Sequence, residues 1–449
     1  MATAEATTST SRRLKGDREL KQQLQILCRT DNWTNWLYLL RAYAIIAASI
    51  GGTIWLYYWL LSAGLSVWWA APAALAAIMV IGASQHQLAG ATHEATHHTL
   101  FKGRMLNELV SDWLCMFPVF STTYSFRLYH LIHHQFVNDP DHDPDFVVLA
   151  KSGHWLDFPV SAAKFLGMLA KQALILPLLR YILVRFRFNA VGVDMANAYK
   201  RKEKSSKLPE RIGFLWLAGL LLMQVGLTYY GDWRLAAAIP PVYWVLLAVV
   251  FFVLPERHFA GARLKPVVPR RYLATCRLFF MMTLFTSLTV AQMLSGQPIW
   301  WFFFVLWGVP LLTSFPFFMI LRQVVQHGNG DRGWLTNTRT FLVNPLVKYA
   351  VFPFGMDYHL GHHMYATVPH YNLPKLHEFM LQFPEYAEQG LEVKNYLLPE
   401  HRQPRRPTVV EVLGPEYAMH TDDVYIDNTV LDDWEVDEKD EILRETQGK

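Results

Sequence analysis

The sequence predicts an all-α integral membrane protein, a bundle of about six membrane-spanning helices in three hairpins with a cytoplasmic helical cap that carries histidine motifs. Composition is the first observation behind this fold class. Of the 449 residues, 52% are hydrophobic and 14% aromatic, whereas only 17% are charged, which is little charge for a soluble enzyme of this size. The second observation is six segments with the roughly 20 mostly apolar residues that a helix needs to cross the hydrocarbon layer.

The six predicted spans are joined in pairs by very short links. The spans comprise residues 37–61, 65–83, 212–230, 235–254, 272–294 and 299–321. The links 62–64, 231–234 and 295–298 leave room only for tight turns. Each pair is therefore expected to form an antiparallel helical hairpin.

Basic residues predict how these hairpins are oriented. Lys and Arg are dense in the loops 185–211 and 257–271, whereas the hairpin links contain only Arg234. By the positive-inside rule the dense loops are cytoplasmic. A basic N-terminal segment then lies in the cytoplasm, and six crossings return the C-terminal segment to the same side.

The chain divides on this basis into a cytoplasmic segment 1–36, a membrane domain 37–380 and a cytoplasmic segment 381–449 that ends in an acidic tail. No removable signal peptide is recognisable at the N-terminus. Residues 155–188 mix apolar runs with Lys and Arg, which is typical of an amphipathic helix on the membrane surface rather than of another crossing.

Charge and cysteine content exclude several classes of function. A formal net charge of +4 is too small to indicate a nucleic-acid partner. The three cysteines, Cys28, Cys115 and Cys276, are far apart and form no CxxC pair, so neither a disulfide framework nor a thiolate metal site is expected. Histidine must therefore supply the ligands of any metal site.

Three histidine motifs follow even-numbered spans and so share one side of the membrane. Box 1 is HEATHH from His93, box 2 is HLIHH from His130, and box 3 is HLGHH from His359. On a helix, residues i, i+3 and i+4 project within an arc of about 100°. One zinc ion takes three or four protein ligands, whereas these boxes offer at least eight imidazoles. Two metal ions are the economical interpretation.

Box 1 also matches HExxH, in which two histidines hold zinc and the glutamate activates water for peptide hydrolysis. An intramembrane metalloprotease would leave both HxxHH boxes without a role, and we interpret Glu94 instead as a group that orients a ligand or accepts a proton. A metal-ion transporter would bind its ion near mid-membrane, while the boxes lie beyond the predicted span ends. A haem protein with two axial histidines is a related alternative, which a Soret band would reveal.

Together with the sequence VVQHG around His327 and the run from His359 to His377, the boxes resemble those of bacterial and plastid-type acyl-lipid desaturases. These belong to the membrane fatty-acid desaturase/hydroxylase superfamily with three histidine boxes. The resemblance extends from about residue 85 to residue 377. It implies that the following histidines bind iron: His93, His97, His130, His133, His134, His327, His359, His362 and His363. We leave His98 out of this set because i+4 spacing keeps His97 nearer the face of His93, and the role of His98 stays open.

The resemblance implies fatty-acyl desaturation with two non-haem iron ions and O2 as co-substrate. Such chemistry needs a redox-active metal because an unactivated methylene C–H has no useful acidity. It further implies a lipid substrate from the bilayer, a separate electron donor of the ferredoxin or cytochrome b5 type, and an active site on the cytoplasmic side of a bacterial inner membrane. The sequence does not indicate an oligomeric state.

The segment 137–145, VNDPDHDPD, is similar to one in β-carotene ring hydroxylases of the same superfamily. It keeps lipid or carotenoid hydroxylation open as the alternative reaction. Its carboxylates, with Asp145 as our candidate, are suited to accept the second ring N–H of a ligand imidazole. A solvated loop broken by proline is the other interpretation.

Overall fold

A computed structural model describes residues 14–172, 174–191, 206–259, 262–401, 405–418 and 424–427. Within them, helices dominate, and the six predicted spans are confirmed as six helices long and apolar enough to cross a membrane. Helix is the expected solution because a backbone surrounded by lipid must satisfy its own hydrogen bonds. The protein is an integral membrane helical bundle.

The spans run further than hydropathy predicts at two ends. They are Thr34–Ser62, Val67–Thr96, Leu208–Tyr230, Trp233–Val253, Arg270–Ser295 and Ile299–His327, called spans 1 to 6 below. Span 2 was expected to end at residue 83 and span 6 at residue 321. Both continue as helix through polar residues that are buried in the protein rather than in lipid, and a hydropathy window does not register such residues.

Two of the spans are not uniform helices. Span 2 opens with a 3-10 turn, Val67–Ala70, before the α-helix Ala71–Thr96. Span 6 contains a π-helical segment, Phe304–Gly308, between Ile299–Phe303 and Val309–Leu312, and continues as Ser314–His327.

The outer faces of the spans carry large exposed apolar side chains. Leu222 is 75% exposed and Val253 is 78% exposed, as expected for side chains that meet lipid. The hairpin between spans 3 and 4 turns at Gly231, whose φ of +77° favours glycine. Its backbone N–H donates to the Leu227 carbonyl and so satisfies the end of span 3.

Spans 2 and 6 approach each other closely at Gly82. A Cβ at this position would lie 2.0 Å from Ser314 Oγ and 2.7 Å from the backbone nitrogen of Phe315. The Ser314 hydroxyl also donates to the Ile78 carbonyl at 2.6 Å. Small residues at such contacts let membrane helices pack tightly, and this contact aligns the two spans whose ends carry box 1 and His327.

Shorter helices lie between spans 2 and 3. They are Arg104–Ser111, the π-helical Asp112–Met116, Thr123–Gln135, Pro144–Ser152, Ala162–Gln172 and Ile175–Val191. The last two were expected as one amphipathic helix, but they are bent by 83° relative to each other. They therefore form a broken pair rather than one straight element. Much of the basic loop 185–211 lies outside the described residues.

The remaining elements lie before span 1, between spans 4 and 5, and after span 6. They comprise the helices Arg18–Leu27, Pro345–Val351, His359–Met364, Leu373–Met380 and Pro384–Gln389, the 3-10 turns Glu256–His258, Met356–Tyr358, His370–Asn372, Glu411–Leu413 and Pro415–Tyr417, and the strands Thr340–Leu342 and Glu392–Lys394. The two strands pair in parallel. Val393, Val409 and Leu413 are buried in the same core as the box 2 helix, so these described parts of the chain beyond residue 380 pack against the membrane domain. The acidic tail from residue 428 lies outside the described residues.

Candidate metal centre

The structure brings all nine histidines of the predicted ligand set together in two clusters. The five-histidine cluster consists of His93, His97, His130, His134 and His362, and the four-histidine cluster consists of His133, His327, His359 and His363. Within each cluster one ring nitrogen per residue lies within 4.8 Å of all the others. Residues separated by 270 positions in the chain thus converge on one place.

Box 1 lies where span 2 ends. His93 is in the last turn of the helix and His97 is its C-cap residue. The next residue, His98, has a φ of +57° and turns the chain away from the helix axis. His98 belongs to neither cluster.

Boxes 2 and 3 each divide their histidines between the two clusters. In box 2, His130 and His134 face the five-histidine cluster, while His133 faces the other. In box 3, His359 and His363 face the four-histidine cluster, while His362 crosses to the first. The three histidines of an HxxHH box project from a helix within an arc of about 100°. This arc is wide enough for one box to contribute histidines to two neighbouring clusters.

His327, the isolated histidine, is the last residue of the span 6 helix. Its Nδ1–H donates to the Asn337 carbonyl at 3.2 Å. Its Nε2 then points at the four-histidine cluster, 3.0 Å from His359 Nε2. The carbonyl thus selects the tautomer in which Nε2 is available as a ligand.

The spacing of the Nε2 atoms fits metal ions. His130 Nε2 lies 3.0 Å from the Nε2 atoms of both His97 and His134, and His363 Nε2 lies 3.0 Å from that of His359. Each Nε2 carries either one hydrogen or one lone pair, so ring hydrogens cannot satisfy all these contacts. With metal–nitrogen bonds of about 2.1 Å, two ligands at right angles are about 3.0 Å apart and two at a tetrahedral angle about 3.4 Å. The observed contacts are short enough for two imidazoles to share one metal ion.

Burial keeps most of these imidazoles in the form that binds metal. Burial first, and neighbouring rings second, lower the pKa well below the usual value at His130, His134, His362 and His363. These rings are therefore neutral near pH 7. At His133 burial acts in the same direction, but the Asp143 carboxylate outweighs it and raises the pKa.

Asp143 is the carboxylate that orients His133. Its Oδ1 accepts from His133 Nδ1 at 2.9 Å, and its Oδ2 accepts from the Asn138 backbone N–H. Asp145, the residue singled out from the sequence, lies 4.0 Å from the same nitrogen. It accepts instead from Gln323 Nε2 at 2.7 Å and from Arg185 at 3.3 Å. Asp143 is also the N-cap of the helix Pro144–Ser152, where its Oδ1 accepts from the Asp145 backbone N–H at 2.9 Å.

Glu94 is close to a ligand candidate but not hydrogen-bonded to it. Its Oε1 lies 3.6 Å from His93 Nδ1. Its Oε2 accepts from the Thr99 hydroxyl at 3.0 Å and from the His370 backbone N–H at 2.9 Å. The carboxylate is thus held beside His93 by two other donors, which places it to support that ring.

Sequence reasoning missed a buried ion pair that joins box 1 to box 2. Arg127, on the box 2 helix, donates two bonds to the Glu108 carboxylate, at 3.1 and 2.5 Å. It also donates to the carbonyls of Ala95 and Thr96, which end the box 1 helix. Arg127 therefore caps the C-terminus of the box 1 helix although it belongs to the box 2 helix. An arginine within a mostly apolar motif was the available signal.

The two clusters are neighbours. The rings of His134 and His363, one from each cluster, stack with their centroids 4.3 Å apart. Two adjacent histidine-rich clusters of low solvent exposure, at the end of a membrane helical bundle, are suited to hold metal ions.

Comparison with known proteins identifies the family. The sequence profile described as fatty acid desaturase matches residues 66–260 and 253–393, well over half of the chain. The chain belongs to the fatty acid desaturase family and is an oxidoreductase. Dihydrorhizobitoxine desaturase of Bradyrhizobium elkanii is 31% identical over 137 residues, which cover 30% of this chain and 35% of that relative. The match thus spans about a third of the length of that relative.

Proposed function

We propose that the protein is an O2-dependent desaturase that introduces a double bond into a fatty-acyl chain, with two non-haem iron ions held by the nine clustered histidines. The observation that carries this proposal is the pair of adjacent clusters, with five and four imidazoles. Family membership supports iron, and the 3.0 Å contacts between Nε2 atoms support imidazoles that share an ion.

The overall reaction balances as follows: a –CH2–CH2– unit, O2, two electrons and two protons give –CH=CH– and two waters. Two bound irons would activate O2, the oxidant, for taking hydrogen from an unactivated methylene. The protein's own contribution is to position the nine rings and keep bulk water out. The rings of His93, His133 and His362 are almost fully buried, which supports the second role.

The nearest groups outside the two clusters would hold the rings in place. Asp143 orients His133, and the Asn337 carbonyl orients His327. Such partners fix the tautomer and raise the basicity of the coordinating nitrogen. In this proposal Glu94 supports His93 rather than activating a water for hydrolysis.

The proposed substrate enters from the bilayer, and a separate ferredoxin or cytochrome b5 supplies the electrons. We place the site on the cytoplasmic side of a bacterial inner membrane because the basic loops follow the even-numbered spans. Dihydrorhizobitoxine desaturase, by its name, acts on dihydrorhizobitoxine. We do not assign that substrate to this protein.

The test is expression of the full chain in a bacterial host, with iron analysis of the purified protein and mass spectrometry of total lipids and pigments. We expect about two irons per chain and acyl chains lighter by about two mass units. A gain of about sixteen units would mean hydroxylation, which the acidic segment near box 2 keeps as the alternative. A variant with His133→Ala and His362→Ala serves as the inactive control. Protein without iron, or lipids identical to those of the control, would contradict the proposal.

A further inference from the structure

Arg41 is an exposed charged residue in the lipid-facing part of span 1. It follows Thr34, the first residue of that span, by seven positions. Its neighbours Leu37 and Leu40 are each 67% exposed, as expected for side chains that meet lipid. In the six spans, whose residues are all described, no other exposed charged side chain lies more than five residues from a span end. A charge at this depth is costly unless an anion compensates for it.

The protein itself does little to compensate for the charge of Arg41. A guanidinium has five N–H donors. The one hydrogen bond of Arg41 to a described residue runs from Nη2 to Gln87 Oε1, at 3.5 Å, and Arg41 forms no ion pair with a described carboxylate. By contrast, Arg127 and Arg185 each pair with a carboxylate. Most donors of the Arg41 guanidinium are therefore available to a ligand.

Two tyrosine rings flank this guanidinium. Arg41 Cζ lies 4.8 Å from the centroid of the Tyr38 ring and 5.3 Å from that of the Tyr349 ring, within the range of cation–π attraction. Tyr349 is held in place, because its hydroxyl bonds to Ser84 Oγ at 2.8 Å and its carbonyl accepts from Gln87 Nε2. The rings attract the cation without accepting hydrogen bonds at the edge of the guanidinium. They hold Arg41 in position and leave that edge open.

The position of Arg41 along span 1 is within reach of lipid headgroups. Trp33, at the start of the span, is 79% exposed, and Trp59, near its end, is 48% exposed. Exposed tryptophans mark the two membrane interfaces. Arg41 lies eight residues after Trp33, which is about 12 Å along a helix. Its long side chain can extend toward the interface on the side of the histidine clusters, where lipid phosphates are the abundant anions.

We propose that Arg41 binds the phosphate of an anionic phospholipid in the membrane leaflet on the side of the histidine clusters. A guanidinium binds phosphate through two parallel N–H···O bonds. An anionic lipid is favoured over a zwitterionic one because no described carboxylate pairs with Arg41 and offsets its charge. The lipid would contact both span 1 and the helix Pro345–Val351, which precedes box 3, and so join them. Binding requires neither iron nor turnover, so this inference is independent of the proposed function.

The test measures lipid binding to the full-length protein. The protein is purified in detergent, stripped of lipid and titrated with phosphatidylglycerol, and native mass spectrometry measures the bound fraction. Phosphatidylcholine with the same acyl chains is titrated in parallel. We expect phosphatidylglycerol to bind more tightly, and Arg41→Gln to weaken its binding at least about tenfold because a charge-assisted contact is lost. Arg41→Lys keeps the charge but not the two parallel bonds, so its affinity should fall between the two.

Arg234→Gln is the matched control. Arg234 is also exposed, and its Cζ lies 5.6 Å from the centroid of the Trp233 ring. It stands at the start of span 4, at the membrane surface opposite to the start of span 1. Its replacement should leave the affinity for phosphatidylglycerol unchanged.

Several results would overturn the inference. They are equal binding of the two lipids, wild-type affinity in Arg41→Gln, and an equal loss of affinity in Arg234→Gln. Displacement of the lipid by an equal concentration of inorganic phosphate would identify free phosphate as the ligand and would also overturn it. If Arg41→Gln does not fold, wild-type affinity in Arg41→Lys would contradict the two parallel bonds to phosphate.

Discussion

His133 and Asp143 form a direct link between a clustered histidine and a carboxylate: Nδ1 of the ring lies 2.9 Å from Oδ1 of the carboxylate, and both side chains are buried. Because His133 faces the four-histidine cluster, this carboxylate should determine how well that site holds its metal. Replacing Asp143 by Asn or Ala should lower iron affinity there by about 10- to 100-fold. Iron content under graded chelator competition measures the change.

Asp141→Asn is the matched control for this experiment. Asp141 is exposed on the same loop and its backbone, not its side chain, bonds to Asp139. Its replacement should leave iron binding as it is. Equal chelator resistance of the Asp143 and Asp141 variants would contradict the assigned role of Asp143.

Because the two clusters have different numbers of histidines, we expect two similar substitutions to have unequal effects. His362→Ala leaves four imidazoles in the five-histidine cluster, whereas His133→Ala leaves three in the other. We expect His133→Ala to retain about one iron per chain and His362→Ala to retain more. Metal analysis with Mössbauer spectroscopy distinguishes the sites. His98→Asn, which tolerates the positive φ at that position, should keep the wild-type iron content, and a loss there would return His98 to the ligand set.

The buried Arg127–Glu108 pair should matter for stability. Arg127→Met leaves the Glu108 carboxylate buried without its partner and should cost about 3–5 kcal/mol of unfolding free energy. Adding Glu108→Leu removes the orphaned charge, so the double variant should be less destabilised than the sum of the singles. Thermal unfolding in detergent measures all three. Lys394→Gln, which breaks the more exposed pair with Glu400, should change stability by less than about 1 kcal/mol.

The close contact between spans 2 and 6 at Gly82 predicts that a larger residue there lowers stability. Gly82→Ala would place a methyl group 2.0 Å from Ser314 Oγ, and overpacking of this kind costs about 1–3 kcal/mol. Gly51→Ala on span 1, where nothing lies within 4 Å of the added carbon, should be neutral or stabilising by up to about 1 kcal/mol. Comparable melting temperatures for the two variants would show that spans 2 and 6 do not approach as described.

The burial of His370 predicts that the free energy of unfolding depends on pH. Burial lowers its pKa to about 4, while in the unfolded chain the value is about 6.5. The unfolded state therefore binds the proton first, and stability falls as pH decreases from 6.5 toward 4. The stability difference between the wild type and His370→Asn should decline by about 1.4 kcal/mol per pH unit in that window. A difference independent of pH between 7 and 5 would count against a buried neutral His370.

The spans and the convergence of the nine histidines were predictable because both have local signals. Apolar length reveals a span, and HxxHH spacing on a helix puts imidazoles on one face. The division of each box between two clusters was not predictable, since it depends on how the helices meet. The same holds for Asp143, whose carboxylate contacts a ring on another helix, and for Arg127, whose partners Ala95 and Glu108 come from other segments.

His133 and His362 each lie in the opposite cluster from the other two histidines of their box. This arrangement has a consequence for biosynthesis. Neither site is complete until box 3, near residue 360, has been synthesised and has reached the bundle beside box 2. A chain halted after box 2 has four histidines of one cluster and a single histidine of the other. In the proposed enzyme, oxygen chemistry would therefore wait for the finished chain, which protects a nascent protein from the oxidant that it is built to control.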